Sequence, residues 1–444
     1  MLPYIFKTII FSFFILFFFV SACSGLTLSE SIQTALENNP EVLAQQERVK
    51  AHEARVGQAF SGFLPQINLE GELGKDYRTP VSYSVAGSTF TLYPDEAGTV
   101  TGLRAVFSQN IFTGGEIRSR LEIEKIGLEI EKEELKRIEQ EVSYKAALAY
   151  FKVLHAQAFV ALSQEFVQVA QEHLGLVQKY YALGRVPRTD LLRAQVRVAE
   201  EENRAAEAEN AVALARVDLN NVLGKDIGEE TVPEDMEGGE NGQDPSLAAG
   251  EDLYAVALQN RAEWKGFQLR KLAGGKQIDL ARSGYLPDLT LNGGVARDIA
   301  DYSANAIRRE TDSWNVYGLV SWTVFDGLST QNRVREAQAR LLEIAAQERL
   351  VKNRIQTEVE QARLNQYAAR RRVRGAKKTV ALTQENLALA RQRYLKGAAN
   401  NIEFLEAQAA LARAKADLLW SGLENRLAAM RLDLALGKEL LAGR

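Results

Sequence analysis

The feature that most constrains this chain is a phrase that its sequence uses twice. YYALGRVPRTDLLRAQ runs from Tyr180 to Gln195, and RYLKGAANNIEFLEAQ runs from Arg393 to Gln408, at a shift of 213 residues. In each phrase a glycine, Gly184 or Gly397, interrupts long amphipathic stretches on both sides. A break of this kind between two helical patterns predicts a helix–turn–helix hairpin, and the repeat predicts that the hairpin is made twice.

The stretches beside the first turn have the periodicity of packed helices. Apolar residues recur at steps of three, four and seven from Val142 to Tyr181 and again from Leu191 to Val222. This spacing is typical of helices that pack side by side. We expect Thr189 or Asp190 to cap the helix that follows the turn.

The two long helices have equal predicted lengths. Thr113 and Asp326 are expected to cap them, and at 1.5 Å per residue the segments 114–182 and 328–396 each span roughly 100 Å. No window after the leader is apolar enough to predict a transmembrane helix. Shorter helices are predicted at 29–60, 189–222 and 252–283.

Between these helices the apolar period changes to two, which predicts β-strands. In the strand 66–77, Ile67, Leu69 and Leu73 alternate with polar residues. A polar loop follows, and further strands are predicted at about 100–112, after Pro287 and at 314–325.

Four strands of about ten residues suit a tilted bilayer crossing. Because open strand edges are not tolerated in lipid, four strands must belong to a barrel shared by several copies. Aromatic residues predicted near the strand ends fit an interfacial girdle, namely Tyr77, Tyr83, Phe90, Tyr93 and Trp314.

The repeat sets the predicted domain boundaries. Residues 1–22 are predicted to be a signal peptide, because an apolar run of about a dozen residues is too short to span a bilayer. Cys23 then closes the tetrapeptide Val-Ser-Ala-Cys, so it is either lipidated or removed with the leader. The two repeats are assigned to 23–227 and 248–444. The acidic segment 228–247 is the linker between them.

Composition excludes several classes of function. A formal charge of −4 provides no basic field for nucleic acid. The three histidines have no metal-ligand spacing, and no second cysteine is present for a redox pair. Since no nucleophile, base or metal cluster stands out, we expect neither an enzyme nor a cofactor.

The ordered motifs resemble those of TolC-type outer-membrane efflux proteins. The motifs are Gly-Phe-Leu-Pro and Gly-Tyr-Leu-Pro before strands, Phe-Thr-Gly-Gly and Phe-Asp-Gly after strands, the two glycine-centred turns, and a Leu-Gly-Lys near the end of each repeat. The resemblance implies a mainly α fold with a small transmembrane β part. In this fold the long helical hairpins of two structural repeats form a trimeric α-barrel, continued by a shared 12-stranded β-barrel. It implies an outer-membrane location in a Gram-negative bacterium, with the helices in the periplasm.

The resemblance also implies roles for the turns. In that family the turns form the periplasmic tip and contact a periplasmic adaptor, or membrane fusion protein, which connects the channel to an inner-membrane pump. The implied adaptor contacts are Gly184, Arg185, Val186, Pro187, Thr189, Gly397, Ala398, Ala399, Asn400 and Asn401. The implied aperture residues are Asp190, Tyr394, Glu403 and Glu406. Ala399 departs from the family pattern, because a basic residue that helps to lock the closed state can stand there.

Two functional hypotheses follow. The first is a passive exit duct of a tripartite efflux or type I secretion system, embedded in outer-membrane lipid as a homotrimer. Its cargo, whether drug, metal or protein, cannot be read from the sequence. The second is an exported structural coiled-coil protein of the cell envelope. Strands with an apolar face favour the duct, because a structural rod does not need them.

Overall fold

The computed structural model describes residues 26–79, 81–93, 96–234, 252–302 and 307–439. The predicted signal peptide, Cys23 and most of the acidic linker lie outside these residues. Eight helices and six strands are present in the described part of the chain. In chain order they are α1 (Leu28–Asn38), α2 (Pro40–Ser61), β1 (Gln66–Arg78), β2 (Val81–Val85), β3 (Ser88–Tyr93), β4 (Glu96–Thr113), α3 (Glu116–Ala182), α4 (Arg188–Leu223), α5 (Leu253–Asn260), α6 (Ala262–Ser283), β5 (Asp288–Tyr302), β6 (Ile307–Ser321), α7 (Ser329–Leu395) and α8 (Asn401–Ala435).

The chain divides into two compact units. The first comprises the described parts of 1–34 and 146–248, and the second those of 35–145 and 249–444. The long helices α3 and α7 each have 67 residues, as the sequence repeat predicts. In the second unit, α7 begins near the end of β6 and ends at the second turn, so the strands and this turn lie at opposite ends of one helix.

In the first unit, the later part of α3 and α4 form the first hairpin. The heptad-like spacing predicts most of its seam correctly. The exception is Tyr181, which is exposed. Buried seam residues include Val153, Ala170, Val177, Ala194, Val198, Ala208 and Leu219. Glu201 also lies in this seam, where it is buried and bonded to Arg197 and Arg204 at 2.5 and 2.9 Å. The two guanidinium groups offset the cost of burying its charge.

The second unit contains a four-stranded antiparallel sheet in the order β1–β4–β5–β6. One cross-strand row joins Leu69, Ala105, Val295 and Trp314. Because side chains alternate between faces, these four residues share one face. Leu69, Val295 and Trp314 are exposed on it. The adjacent row carries polar groups, including Glu70, on the opposite face, so the predicted alternation of faces is confirmed.

Three details of the strand prediction were wrong. The loop after β1 contains a second hairpin, β2–β3, in which the rings of Tyr83 and Phe90 stack at 5.6 Å. Strand β6 runs from Ile307 to Ser321 rather than from 314 to 325. Trp314 consequently lies at the middle of β6 and not near its end. Local alternation did not reveal the register, because pairing with β5 decides where β6 begins and ends.

Two helices predicted as continuous are each broken once. Asn39 separates α1 from α2, and its side chain accepts a hydrogen bond from the backbone N of Glu41 at 2.9 Å. Pro40 follows at the first position of α2, where its missing N–H costs nothing. Arg261 has extended backbone angles and separates α5 from α6. The apolar periodicity continues through both breaks and therefore hid them.

The second unit has a core formed by four helices. Trp264 and Phe267 of α6 stack at 5.7 Å. They pack in a cluster that also contains residues of α5, α7 and α8, among them Ala257, Ile355 and Leu432. The cluster fixes the level at which α5 and α6 meet α7, near the middle of the long helix.

The expectation that no helix is apolar enough to cross a membrane was wrong. By length and composition, an 18-residue window of α3 is apolar enough to cross a membrane, and 44 % of that window is buried inside the protein. One such helix is weak evidence for a membrane span, because the core helix of a soluble protein can be equally long and apolar.

Thr113 and Asp326 accept the capping hydrogen bonds expected of them, but the N-cap position of α7 itself is Leu328, which has no side-chain cap. Thr113 Oγ1 accepts a hydrogen bond from the backbone N of Ile117 at 3.3 Å. Asp326 Oδ2 accepts hydrogen bonds from the hydroxyl and the backbone N of Thr330 at 2.6 and 2.7 Å. These bonds satisfy donors in the first turn that have no partner within the helix.

The Asp326 cap leads to a pH prediction. The hydrogen bonds from Thr330 hold the pKa of Asp326 below its ordinary value of 3.8. The stabilisation is therefore present above that value and is lost as pH falls through the lowered pKa. We expect Asp326→Ala to melt at a lower temperature than the wild type at about pH 7, with the difference shrinking at about pH 2. Circular dichroism melts at both values check this result, and a difference that does not change with pH would contradict it.

Candidate functional site at the two hairpin turns

The first turn joins α3 to α4 within the first unit. Gly184 has a φ of +66°, and its backbone N donates to the carbonyl of Tyr181 at 2.9 Å. The backbone N of Arg185 donates to the carbonyl of Tyr180 at 2.9 Å. This pair of bonds closes the end of α3 around a left-handed residue, a conformation that glycine adopts without steric cost.

The residues after Gly184 differ from the expected cap. Pro187 occupies the N-cap position of α4, with no side-chain cap. Thr189 and Asp190 lie inside the first helical turn, so the prediction that one of them caps the helix was wrong. Asp190 is half-buried and lies 3.6 Å from Arg193. Arg185, Thr189 and Pro187 are exposed, and Val186 is half-buried.

The second turn, in the second unit, has the same backbone design. Gly397 has a φ of +71°, and its N–H donates to the carbonyl of Tyr394 at 3.0 Å. The backbone N of Ala398 donates to the carbonyl of Arg393 at 2.8 Å. Ala399 is half-buried. The side chain of Asn400 caps α8 by accepting from the backbone N of Glu403 at 2.9 Å.

An arginine bridges the second turn. Arg393 donates through Nη1 to Oε1 of Glu403 at 2.7 Å and through Nη2 to the carbonyl of Ala398 at 3.3 Å. It therefore connects the last turn of α7, the loop and the first turn of α8. Sequence reasoning looked for a basic residue at Ala399 and missed Arg393. A signal was available, because Arg393 aligns with Tyr180 in the first repeat and so marks a difference between the two turns.

Tyr394 lies beneath the second turn. Its side chain is only 7 % exposed, and its ring packs on Phe404 with centroids 6.0 Å apart. Asn401 is buried as well. These contacts hold Tyr394 between the two helices of its own hairpin. The implied role of Tyr394 at the aperture stays a prediction.

The two carboxylates after the second turn differ in their surroundings. Glu403 is half-buried and paired with Arg393, as described above. Glu406 is exposed and forms no ion pair among the described residues. The uncompensated negative charge beside this turn therefore belongs to Glu406. Among the described residues, no group of histidine, cysteine, aspartate and glutamate side chains is placed to hold a metal ion.

Comparison with known proteins identifies relatives of the whole chain. The family model for the outer membrane efflux protein matches residues 31–225 and 253–438. No curated protein matches the chain in sequence.

Several solved structures have a similar fold. CusC is 20 % identical over 94 % of this chain and 93 % of its own chain, with a TM-score of 0.79. The outer membrane protein VceC of Vibrio cholerae is 19 % identical over 93 % and 96 %, with a TM-score of 0.76. The CmeC outer membrane channel of Campylobacter jejuni is 16 % identical over 92 % and 85 %, with a TM-score of 0.77. At these identities the likeness shows the fold.

Proposed function

Since this chain belongs to the outer membrane efflux protein family, whose members are outer-membrane channels and not enzymes, we propose that it forms the passive exit duct of a tripartite efflux or type I secretion system. An inner-membrane pump would deliver the substrate through a periplasmic adaptor. The duct would release it outside the cell without supplying energy. Drugs, metal ions and proteins all remain candidate cargoes, because the pump selects what enters such a duct.

The observation that carries the proposal is the sheet of the second unit. It has an exposed apolar face, and β1 and β6 are its edge strands within the chain. Open edges are excluded from lipid, so the sheet needs further strands before it can enter a membrane. Family members are homotrimers. Three copies of four strands would supply a closed barrel of twelve, with the apolar face toward lipid and the polar face toward water.

The proposal is tested with the purified full chain. We expect extraction from membranes to need detergent, the extracted protein to be a trimer, and the trimer to conduct ions after insertion into a planar lipid bilayer. The alternative, an exported structural coiled-coil protein, requires neither detergent nor conductance. Recovery of the chain in the soluble fraction, or a trimer that never conducts, would overturn the proposal of a duct.

We also propose that Cys23, if lipidated, adds an anchor, which mass spectrometry of the mature N-terminus would detect.

The implied contacts at the turns are part of this proposal. The adaptor would contact the two turns, from Gly184 to Thr189 and from Gly397 to Asn401, mainly through their exposed residues, since Asn401 is buried. Asp190, Glu403 and Glu406 would lie near the aperture, where carboxylates favour cations. The ion pair between Arg393 and Glu403 would stiffen the second turn within its own hairpin. This stiffening would compensate for the absence of a basic residue at Ala399.

The different surroundings of the two glutamates give a specific prediction. We expect Glu406→Gln to lower the preference of the open channel for cations more than Glu403→Gln does, because Arg393 already offsets the charge of Glu403. Reversal potentials in single-channel recordings under a salt gradient measure this preference. Arg393→Gln is the matched counterpart, and it should raise cation preference by freeing Glu403. If none of the three variants changes the reversal potential, these side chains lie away from the pore.

A further inference from the structure

A large cavity in the second unit has an unusual charge arrangement. It lies where α6 begins and α8 ends, between α3 and α7, and its volume is about 1110 Å³. Its lining carries six basic side chains, those of Arg137, Lys145, Arg261, Arg270, Arg354 and Arg431. This place is far along the chain from both hairpin turns, so the proposed adaptor contacts do not account for it.

The acidic residues of the lining are already neutralised. Glu134 and Glu141 bind Arg137 at 2.7 and 2.9 Å. The hydrogen bond from Arg137, followed by its positive charge and that of Arg270, holds the pKa of Glu134 below its ordinary value. The carboxylate of Glu134 is therefore ionised and occupied at neutral pH.

The other two carboxylates are also paired. Glu358 binds Arg261 at 2.6 Å, and Glu263 binds Arg261 at 3.3 Å. Arg354 contacts Glu263 as well. Lys145 is paired outside the lining, with Glu41 at 2.7 Å. Every carboxylate that lines the cavity thus has a basic partner.

Three guanidinium groups keep unused hydrogen-bonding capacity. Arg270 and Arg431 form no hydrogen bond or ion pair with the described residues, and both are exposed at the cavity. Nη1 of Arg261 is buried and has no acceptor among the described residues. A buried donor without a partner carries a desolvation cost, which an acceptor in the cavity would relieve.

We propose that this cavity binds a small organic anion that carries phosphate or carboxylate groups. Guanidinium groups pair with both kinds of oxyanion through two parallel hydrogen bonds, and three of them converge on one cavity. The volume exceeds that of a single oxyanion and lies near the range of small-molecule sites, about 300–1,000 Å³. Tyr144, Gln361 and Asn365 line the same space and offer polar contacts to the body of such a ligand. This site goes beyond the proposed duct function, because a passive duct does not require a ligand bound within the protein.

The test is calorimetric titration of the purified full-chain trimer with citrate and, separately, with inorganic phosphate. We expect at least one probe to bind, and Arg270→Gln combined with Arg431→Gln to weaken that binding by about tenfold or more. The matched control is Arg374→Gln combined with Lys378→Gln, which removes the same charge from exposed positions of α7 outside the cavity. The control should bind as the wild type does. Glycerol, a neutral probe, should not bind.

Each result of this titration either supports or overturns the proposed anion site. Loss of binding in the cavity variant alone supports the site, and the preferred probe identifies the oxyanion. Absence of binding to the wild type, retention in the cavity variant or equal loss in both variants would overturn it. Gel filtration shows whether each variant is still a trimer. If the cavity variant does not assemble, Arg270→Lys combined with Arg431→Lys replaces it, with weaker binding expected because the charge remains but the paired donors are lost.

Discussion

Leu69→Arg is expected to prevent most of the protein from assembling in the outer membrane. Leu69 is 77 % exposed on the apolar face of the sheet, in the row with Ala105, Val295 and Trp314. If this face contacts lipid, an arginine near the bilayer midplane costs about 2–4 kcal/mol for each copy. A trimer carries that cost three times. The measurement is the amount of folded trimer in isolated outer membranes. The folded trimer is detected by its altered migration on unheated gels.

The matched control is Asn68→Arg, one residue away in the same strand. Asn68 is also exposed in the chain but lies on the opposite face, where the polar side chains would meet water. We expect this variant to assemble at close to the wild-type level. Equal assembly of both variants, or equal failure of both, would show that the sheet does not present one face to lipid.

Gly397→Val is expected to abolish export while leaving the trimer intact. Gly397 has a φ of +71°, and no atom lies within 4 Å of the position that a Cβ would take. The penalty is therefore one of backbone conformation rather than of space. A left-handed residue with a side chain costs roughly 1–2 kcal/mol, and a β-branched side chain resists this conformation further. We expect the turn to open and the Arg393 bridge to Glu403 to be lost with it.

The experiment uses the deletion phenotype of the native host, so the cargo need not be known beforehand. Strains without the gene are compared for sensitivity to toxic compounds and metal ions and for loss of secreted proteins. The wild-type gene should restore whichever phenotype appears. Gly397→Val should fail to restore it. Gly375→Val, the same substitution at an exposed glycine within α7 that has no positive φ and nothing within 4 Å of its Cβ position, should restore it. Normal export by Gly397→Val would mean that the turn does not couple the channel to its partners.

Local features of the sequence predicted much of the fold. The repeated glycine-centred phrase located both turns, since a left-handed residue between two amphipathic stretches has few alternatives to glycine. Period-two alternation located β1 and the exposed apolar face, and Thr113 and Asp326 were identified as caps from their positions alone. Each of these properties depends on residues that lie within a few positions of one another. A single sequence therefore carries them directly.

The structure decided what depends on residues that are distant along the chain. Strand pairing set the ends of β6 and put Trp314 at its middle, and the break at Arg261 interrupted no visible periodicity. The Arg393 bridge to Glu403 joins residues ten positions apart, and it exists because the turn at Gly397 brings two helices together. The cavity needs α3, α6, α7 and α8 at one level, so no local pattern reveals which of its arginines are paired. By itself, the sequence determined both turns, the long helices and the alternation of faces in the strands, but not every helix break or strand end. Only tertiary packing decided which charges meet and which remain free, because electrostatic pairing depends on distance in space and not on separation along the chain.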